Sequence, residues 1–334
     1  MKAKNHFKFA VLYLFLMVTV FCSLFFGAQN LSFEEIFFNA HSFEYTIFMN
    51  LRLPRTILCI EAGALLASSG AVFQQYFRNP LADSGIMGLS SGATLFAVIF
   101  YVIALPFLQL IIPVGTTIMV ALGAIAGAIL SGIMVTVLST GISRLSTVSL
   151  LLCGTCLGTL YSAVTSIILS TNTKDLGTMY LWMLGSMNGR GWNEVLIVTV
   201  LGTVAEILLF RCTRKLDLLS CGEDSAYTLG VNVRALRTQV LLAGSVATAA
   251  AVCAGGTIGF IGIICPHISR KLFGVNSRSV WFTSLFTGAV LLTLSDILCR
   301  LVIAPAELPV GTITAILGVP FFISLLAGGK HGRK

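Results

Sequence analysis

Charge is what this sequence has least of. Only 10% of its 334 residues are Asp, Glu, Lys or Arg, where a soluble domain carries about 25%. That shortage excludes a water-soluble globular domain. Catalytic furniture is missing too. There are 4 histidines, and they form no cluster. No paired carboxylates and no nucleophile arrangement are visible. The phosphate loop G-x-x-x-x-G-K-[ST] is absent, since Gly328-Gly329-Lys330 lacks both the first glycine and the Ser/Thr. An ATPase site of its own, an enzymatic role and a bound cofactor or metal are therefore not expected. The 9 cysteines are an odd number scattered through apolar runs, which argues against a disulfide framework. Cys153 and Cys156 make a CxxC, but without partners they read as small core-filling residues. His267 follows Pro266 at a helix end and reads as a capping or packing residue.

What the chain has is apolar length. Its hydrophobic fraction is 56% and its mean hydropathy is +0.94. A span needs about 20 apolar residues, and 32 glycines suit helices that pack closely. A barrel would show alternating segments of about ten residues. The fold class is therefore an all-α integral membrane protein, one polytopic domain over 1–334.

About ten transmembrane helices are predicted. The first is Phe9–Ala28, uncleaved because Phe26 stands where signal cleavage wants a small residue. Others run from Arg55 to Tyr76, to about Leu105, and over Val114–Ser139 and Val148–Leu169. Then come Asn193–Phe210, Thr238–Cys253, a short element to His267 after a glycine break at 255–259, Val280–Arg300 and Val310–Ala327. Trp182 and Trp192 are expected as outer interface anchors. Basic residues mark the cytoplasmic side. With both termini cytoplasmic, sixteen fall inside and five outside, the outer ones being Arg52, Arg55, Lys174, Arg190 and Arg300. This distribution, rather than the net +8, carries the meaning, and it gives no reason to expect nucleic acid.

One stretch is polar in an apolar chain: Leu216 to Arg237. Glu223 and Asp224 follow Gly222 and suit the positive end of a short helix. Gly230 follows Leu229, where a helix end wants a residue tolerant of positive φ. A short helix, a glycine turn and a new start at Val231 are expected, forming a water-facing knob between two spans.

Several phrases occur in order along the chain. They are Arg52-Leu53-Pro54-Arg55, Arg78-Asn79-Pro80-Leu81-Ala82-Asp83, Glu223-Asp224 with Leu229-Gly230-Val231, and Gly256-Thr257-Ile258-Gly259-Phe260-Ile261-Gly262 running into Pro266-His267-Ile268-Ser269-Arg270. Asp296 then stands four residues before Arg300, and Glu307-Leu308-Pro309-Val310-Gly311 follows. Over essentially the whole chain this resembles the permease subunit of the iron-chelate and cobalamin ABC importers, the FecCD family.

The resemblance implies a multi-pass protein of the bacterial cytoplasmic membrane. Its partners would be a second permease subunit, two cytoplasmic ATP-binding subunits, an extracytoplasmic substrate-binding protein and membrane lipid. It implies that the 216–237 segment is a coupling helix pair, with Glu223, Asp224, Leu229, Gly230 and Val231 in contact with an ATPase. It implies that the fifth span lines the pathway, with a gate at Ser146, Thr147, Val148 and Ser149. It supports Arg52, Arg55 and Arg300 as acceptors for carboxylates of the binding protein; lipid headgroup contact, or internal pairing with Asp296 or Glu307, is the alternative. The cargo expected from the family is an iron(III)-siderophore-type chelate, with cobalamin or haem as alternatives. An ion-gradient-driven carrier using Glu61 or Glu206 is the competing machine. Those two acids lie inside spans, where charge is functional by default. Asp296 is expected to pair with Arg300 one turn on.

Overall fold

The computed structural model describes residues 2–27, 32–38, 42–109, 115–142, 147–171 and 176–328. Every regular element among them is helical. In order they are α1 (Lys2–Phe25), α2 (Phe33–Phe38), α3 (Phe43–Ile47), α4 (Leu53–Tyr76), α5 (Leu89–Ile99), α6 (Leu105–Leu108), α7 (Thr116–Ile142) and α8 (Thr147–Thr171). Then follow α9 (Leu176–Met183), α10 (Trp192–Ser220), α11 (Glu223–Thr228), α12 (Val233–Gly255), α13 (Ile261–Phe273), α14 (Ser277–Leu301) and α15 (Val310–Gly328). Two π-helical stretches, Phe48–Arg52 and Phe100–Ala104, join α3 to α4 and α5 to α6. Eight helices are long and apolar enough to cross a membrane. The apolar α15 and the shorter α13 complete the bundle.

Helix α4 is the axle. It packs against α14, α12, α10 and α13, and its face from Leu58 through Phe73 is almost entirely buried. Glycine makes this possible. A Cβ on Gly63 would collide with the Gly288 carbonyl of α14, and one on Gly92 of α5 would collide with α7 at Ser131 and Gly127. Between membrane helices, contact of this closeness supplies the van der Waals attraction that water exclusion supplies elsewhere.

The structure differs from the sequence reading at several ends. Helix α10 continues past Phe210 to Ser220, carrying Arg211, Arg214 and Lys215 with it. Helix α13 runs six residues beyond His267, to Phe273. Helix α12 starts at Val233, because the Asn232 side chain accepts from the Ala235 amide at 3.0 Å and caps it there. Trp182 is buried, not an interface anchor, while Trp192 is exposed and its indole N–H donates to the Met49 carbonyl at 3.1 Å. His267 stacks edge-on against Phe321, as a packing residue.

The two ends of the bundle carry different sets of charged residues. Near α11 lie Arg78, Arg234 and Arg237, while Lys8 of α1 donates to the Leu272 carbonyl at the end of α13. The opposite end gathers the start of α4, the end of α14 and the end of α1.

Candidate functional site

Three regions carry the residues singled out in the sequence. The first is the end opposite α11. Helix α1 stops at Phe25 and leaves its last carbonyls without helical donors, as every helix must. Arginines supply them. Arg52 Nη1 donates to Leu24 O at 3.0 Å and to Phe25 O at 2.6 Å. Arg300 Nη1 donates to Ser23 O at 2.9 Å and to Phe26 O at 3.3 Å, and its Nη2 to Ser23 Oγ at 2.8 Å. A cation at a helix C-terminus also suits the dipole.

Arg55 takes the acids. Its Nε and Nη2 donate to Asp296 Oδ1 at 3.0 and 2.8 Å, and its Nη1 reaches both oxygens of Glu307. Arg300 Nε stands 3.1 Å from Asp296 Oδ2. Asp296 is fully buried, so its charge is balanced by two guanidinia. Arg52 and Arg300 are buried, and Arg55 is nearly so, so in this chain their donors are turned inward. Internal pairing is the geometry found, and the Asp296–Arg300 contact is as expected. Positive charge stands at this end because α1 terminates there and Asp296 is buried there.

The second region is the polar knob. Gly222 has φ 120 and α11 begins at once with Glu223 and Asp224, both exposed. Its end is a Schellman arrangement. Val231 N donates to Ala226 O at 2.9 Å, Gly230 N donates to Tyr227 O at 2.9 Å, and Gly230 sits at φ 83. Ala226 and Val231 are buried against the bundle, so the turn is anchored from within. Tyr227 and Leu229 point out, at 77% and 60% exposed. Behind the knob lies a cavity of about 690 Å³ where Arg78, Arg234 and Arg237 face Glu223 and Asp224. Two guanidinium nitrogens of Arg237 are buried there without a hydrogen-bond partner among the described residues.

The loop before α5 folds back into the bundle beside this cavity. Asp83 is buried against Gly262 at the start of α13. One oxygen accepts from the Gly85 amide at 3.3 Å, and the other has no partner among the described residues. Burial pushes this carboxyl up to about 6, against the opposing pull of the Gly85 and Ser84 amides.

The third region is α8. Ser146 lies outside the described residues, and of Thr147 and Val148 only the helical backbone is described. Ser149 is half-buried. Higher up, α8 shows a row that the sequence reading missed. Thr155, Thr159, Ser162, Ser166 and Ser170 are all exposed. Each donates to a carbonyl of the preceding turn, at 2.8–2.9 Å, which leaves hydroxyl lone pairs facing outward. The i, i+4, i+3 spacing was legible; nothing in the sequence said which face was uncovered. Beside it, a cavity of about 190 Å³ is lined by Ser90, Ser91, Thr94, Ser162, Thr165 and Thr257. It carries no charged residue. Thr257 donates to the Met183 carbonyl and holds the 255–260 break in place.

Glu61 and Glu206 lie elsewhere, on the α4–α10 seam. Glu61 Oε1 accepts from Thr199 at 2.6 Å. Seven residues further along both helices, Glu206 Oε1 accepts from Ser68 at 2.6 Å, and its Oε2 accepts from the Trp281 indole at 3.0 Å.

The chain as a whole has counterparts among known proteins. The model of the FecCD transport family matches residues 15–328. The chain belongs to the FecCD transport family. The hemin transport system permease protein of Yersinia pestis is 35% identical over 309 residues, which cover 92% of this chain and 91% of that one. The iron(3+)-hydroxamate import system permease protein FhuB of Bacillus subtilis is 37% identical over 325 residues, covering 95% and 82%. A solved structure assigned to the metal-chelate type ABC transporters, in an inward-facing conformation, superposes with a TM-score of 0.81. It is 28% identical and covers 95% of this chain and 97% of its own. This FecCD chain is an ABC importer permease, a multi-pass protein of the bacterial cytoplasmic membrane.

Proposed function

We propose that this permease carries an iron(III)-siderophore-type chelate along α8, and that α8 faces a second permease subunit across the pathway. The observation that carries the reading is the uncovered row of five hydroxyls on a helix of the membrane zone. Each O–H is already bonded within the helix, so the row offers acceptor lone pairs to whatever passes. The face also carries Leu152, Leu160 and Ile167, all exposed. One half of it therefore suits water and cargo, and the other half a protein neighbour.

The chelate class rests on the named relatives, among which hydroxamate-iron and haem permeases stand side by side. The uncharged cavity beside α8 favours cargo gripped by hydrogen bonds rather than by ion pairs. At the knob, the exposed Tyr227 and Leu229 with Glu223 and Asp224 make an anchor-and-charge surface of the kind that docks a partner, here an ATP-binding subunit. An extracytoplasmic binding protein would deliver cargo at the opposite end, on a surface other than the buried arginine cluster. An ion-driven carrier is disfavoured, because Glu61 and Glu206 are tied to Thr199, Ser68 and Trp281 on a seam that α8 does not line.

The test is uptake into proteoliposomes holding the permease, its ATPase and its binding protein. ATP-dependent, vanadate-sensitive accumulation of ferric hydroxamate above haem and cobalamin is the expected result. Accumulation that follows a proton gradient without ATP would overturn it.

A further inference from the structure

The seam between α10 and α14 carries two grooves that transport leaves unused. One, of about 590 Å³, runs from Arg211 past Ile207 and Gly202 to Thr199, along the junction with α4. The other, of about 510 Å³, is lined by Trp281, Phe282 and Leu285, with Arg278 at its mouth. They share a wall, Phe210 and Trp281, whose ring centroids stand 5.1 Å apart. Arg278 lies over the Phe210 ring, 4.9 Å from its centroid, so its charge is held at the top of that wall. Arg211 is the next residue along α10. Both arginines are exposed and lie at the knob end.

Two carboxylates line the first groove, Glu61 at its deep end and Glu206 nearer the arginines. Glu61 Oε1 accepts from Thr199, and its Oε2 has no partner among the described residues. Glu206 accepts from Ser68 and Trp281. Asp217 accepts from the Ser277 amide at 2.8 Å and from Asn276 Nδ2 at 3.3 Å, at the start of α14. Two cations over two largely apolar grooves is the shape of a headgroup with two tails. From Arg211 to Thr199 is about 18 Å at 1.5 Å per residue, close to the depth of one leaflet, about half of a 30 Å core. Basic pockets between helix ends select anionic headgroups, and guanidinium grips phosphate in bidentate fashion.

We infer that this seam binds an anionic phospholipid of the leaflet at the knob end, with its phosphate between Arg211 and Arg278 and one acyl chain in each groove. Phosphatidylcholine shares the phosphate but sets an ammonium against the arginines, so it binds more weakly.

The test uses the assembled transporter, delipidated in neutral detergent and titrated with phosphatidylglycerol or phosphatidylcholine of the same chains while bound lipid is counted by native mass spectrometry. Phosphatidylglycerol should be retained at least ten-fold better. The R211Q/R278Q double variant should fall to the phosphatidylcholine level, while Arg214→Gln, at the same end but off the grooves, keeps the preference. Thr203→Trp, at an exposed position in the first groove, should lower retention with both arginines present, which separates shape from charge. Equal retention of the two lipids by the parent would overturn the site. So would a preference that survives in the double variant, or displacement of phosphatidylglycerol by an equal concentration of inorganic phosphate.

Discussion

The two ends of this bundle use charge in opposite ways. At one end, Arg55, Arg300, Asp296 and Glu307 form a closed set, and Arg52 joins Arg300 in capping α1. At the other, Glu223 and Asp224 stand exposed beside an exposed tyrosine and leucine. A buried charge must be matched inside the chain, because leaving water costs several kcal/mol per ion. An exposed charge is already solvated and can wait for a partner. The comparison therefore separates charges that hold the fold from charges available to bind. The outer arginines look functional by sign and place, yet in this chain their donors are taken up inside the bundle.

The strongest way to break this comparison is to open the closed set. Asp296→Asn leaves Arg55 and Arg300 without their shared anion, and losing one partner of a buried pair costs about 3–5 kcal/mol. Thermal unfolding of the purified permease should fall by many degrees, and less protein should reach the membrane. A variant as stable as the parent would show that the set is not what holds this end.

The next test sharpens the comparison at its exception. Asp83 is buried inside the bundle beside Gly262 and the middle of α4, with no cation bonded to it among the described residues. Burial lifts it from the ordinary 3.8 to about 6, so the folded chain holds its proton more tightly than the unfolded one. Stability from this group is full below about pH 4 and is lost as pH rises through 6. The difference of about two units corresponds to about 3 kcal/mol. Asp83→Asn removes the charge, so parent and variant should diverge between about pH 4 and pH 6, with the variant flatter. Parallel curves would mean that Asp83 keeps its ordinary affinity for protons.

Much of this was legible in advance, for physical reasons. Apolar length and glycine content fixed a helical membrane bundle. The turn at Gly230 was readable because few residues tolerate positive φ, and its Schellman bonds are as that reading required. The Asp296–Arg300 pair was readable from helical spacing. What stayed hidden depended on contacts between distant segments. Nothing local to Arg52 says that the carbonyls of α1, about 28 residues earlier, need donors. Nothing local to Trp182 says that a helix covers it. The hydroxyl row on α8 was visible as spacing, but not as an uncovered face. The glycine break after α12 was readable, whereas the buried return of the 77–88 loop was not, because Asp83 looks like an ordinary turn residue.

A smaller effect is expected at Gly230. No atom lies within 4 Å of the place a Cβ would take, so any cost there comes from φ 83 alone. A β-branched residue in that region costs about 1–3 kcal/mol, while asparagine tolerates it. Gly230→Val should insert normally yet lose most of its uptake, and Gly230→Asn should keep it. Equal loss in both would point to contact with a partner rather than to the turn.

The smallest effect on the fold should come from the exposed acids, paired with a reversal at the other end. Glu223→Lys with Asp224→Lys alters solvated side chains, and such surface changes usually stay within about 0.5 kcal/mol. Unfolding temperature should therefore barely move. If the knob docks an ATP-binding subunit, association should slow, and the deficit should shrink with added salt, because opposite charges steer encounter and salt screens them. Arg52→Glu should do the reverse. It places an anion against the Leu24 and Phe25 carbonyls, so unfolding temperature should drop while the affinity of correctly folded protein for the binding protein holds, with little response to salt. Measuring both pairs of quantities on both variants decides the matter. An Arg52→Glu protein of parental stability that loses its binding protein would return Arg52 to the docking surface. A Glu223→Lys/Asp224→Lys protein of parental ATPase affinity at low salt would remove the acids from the coupling contact and leave Tyr227 and Leu229 to carry it.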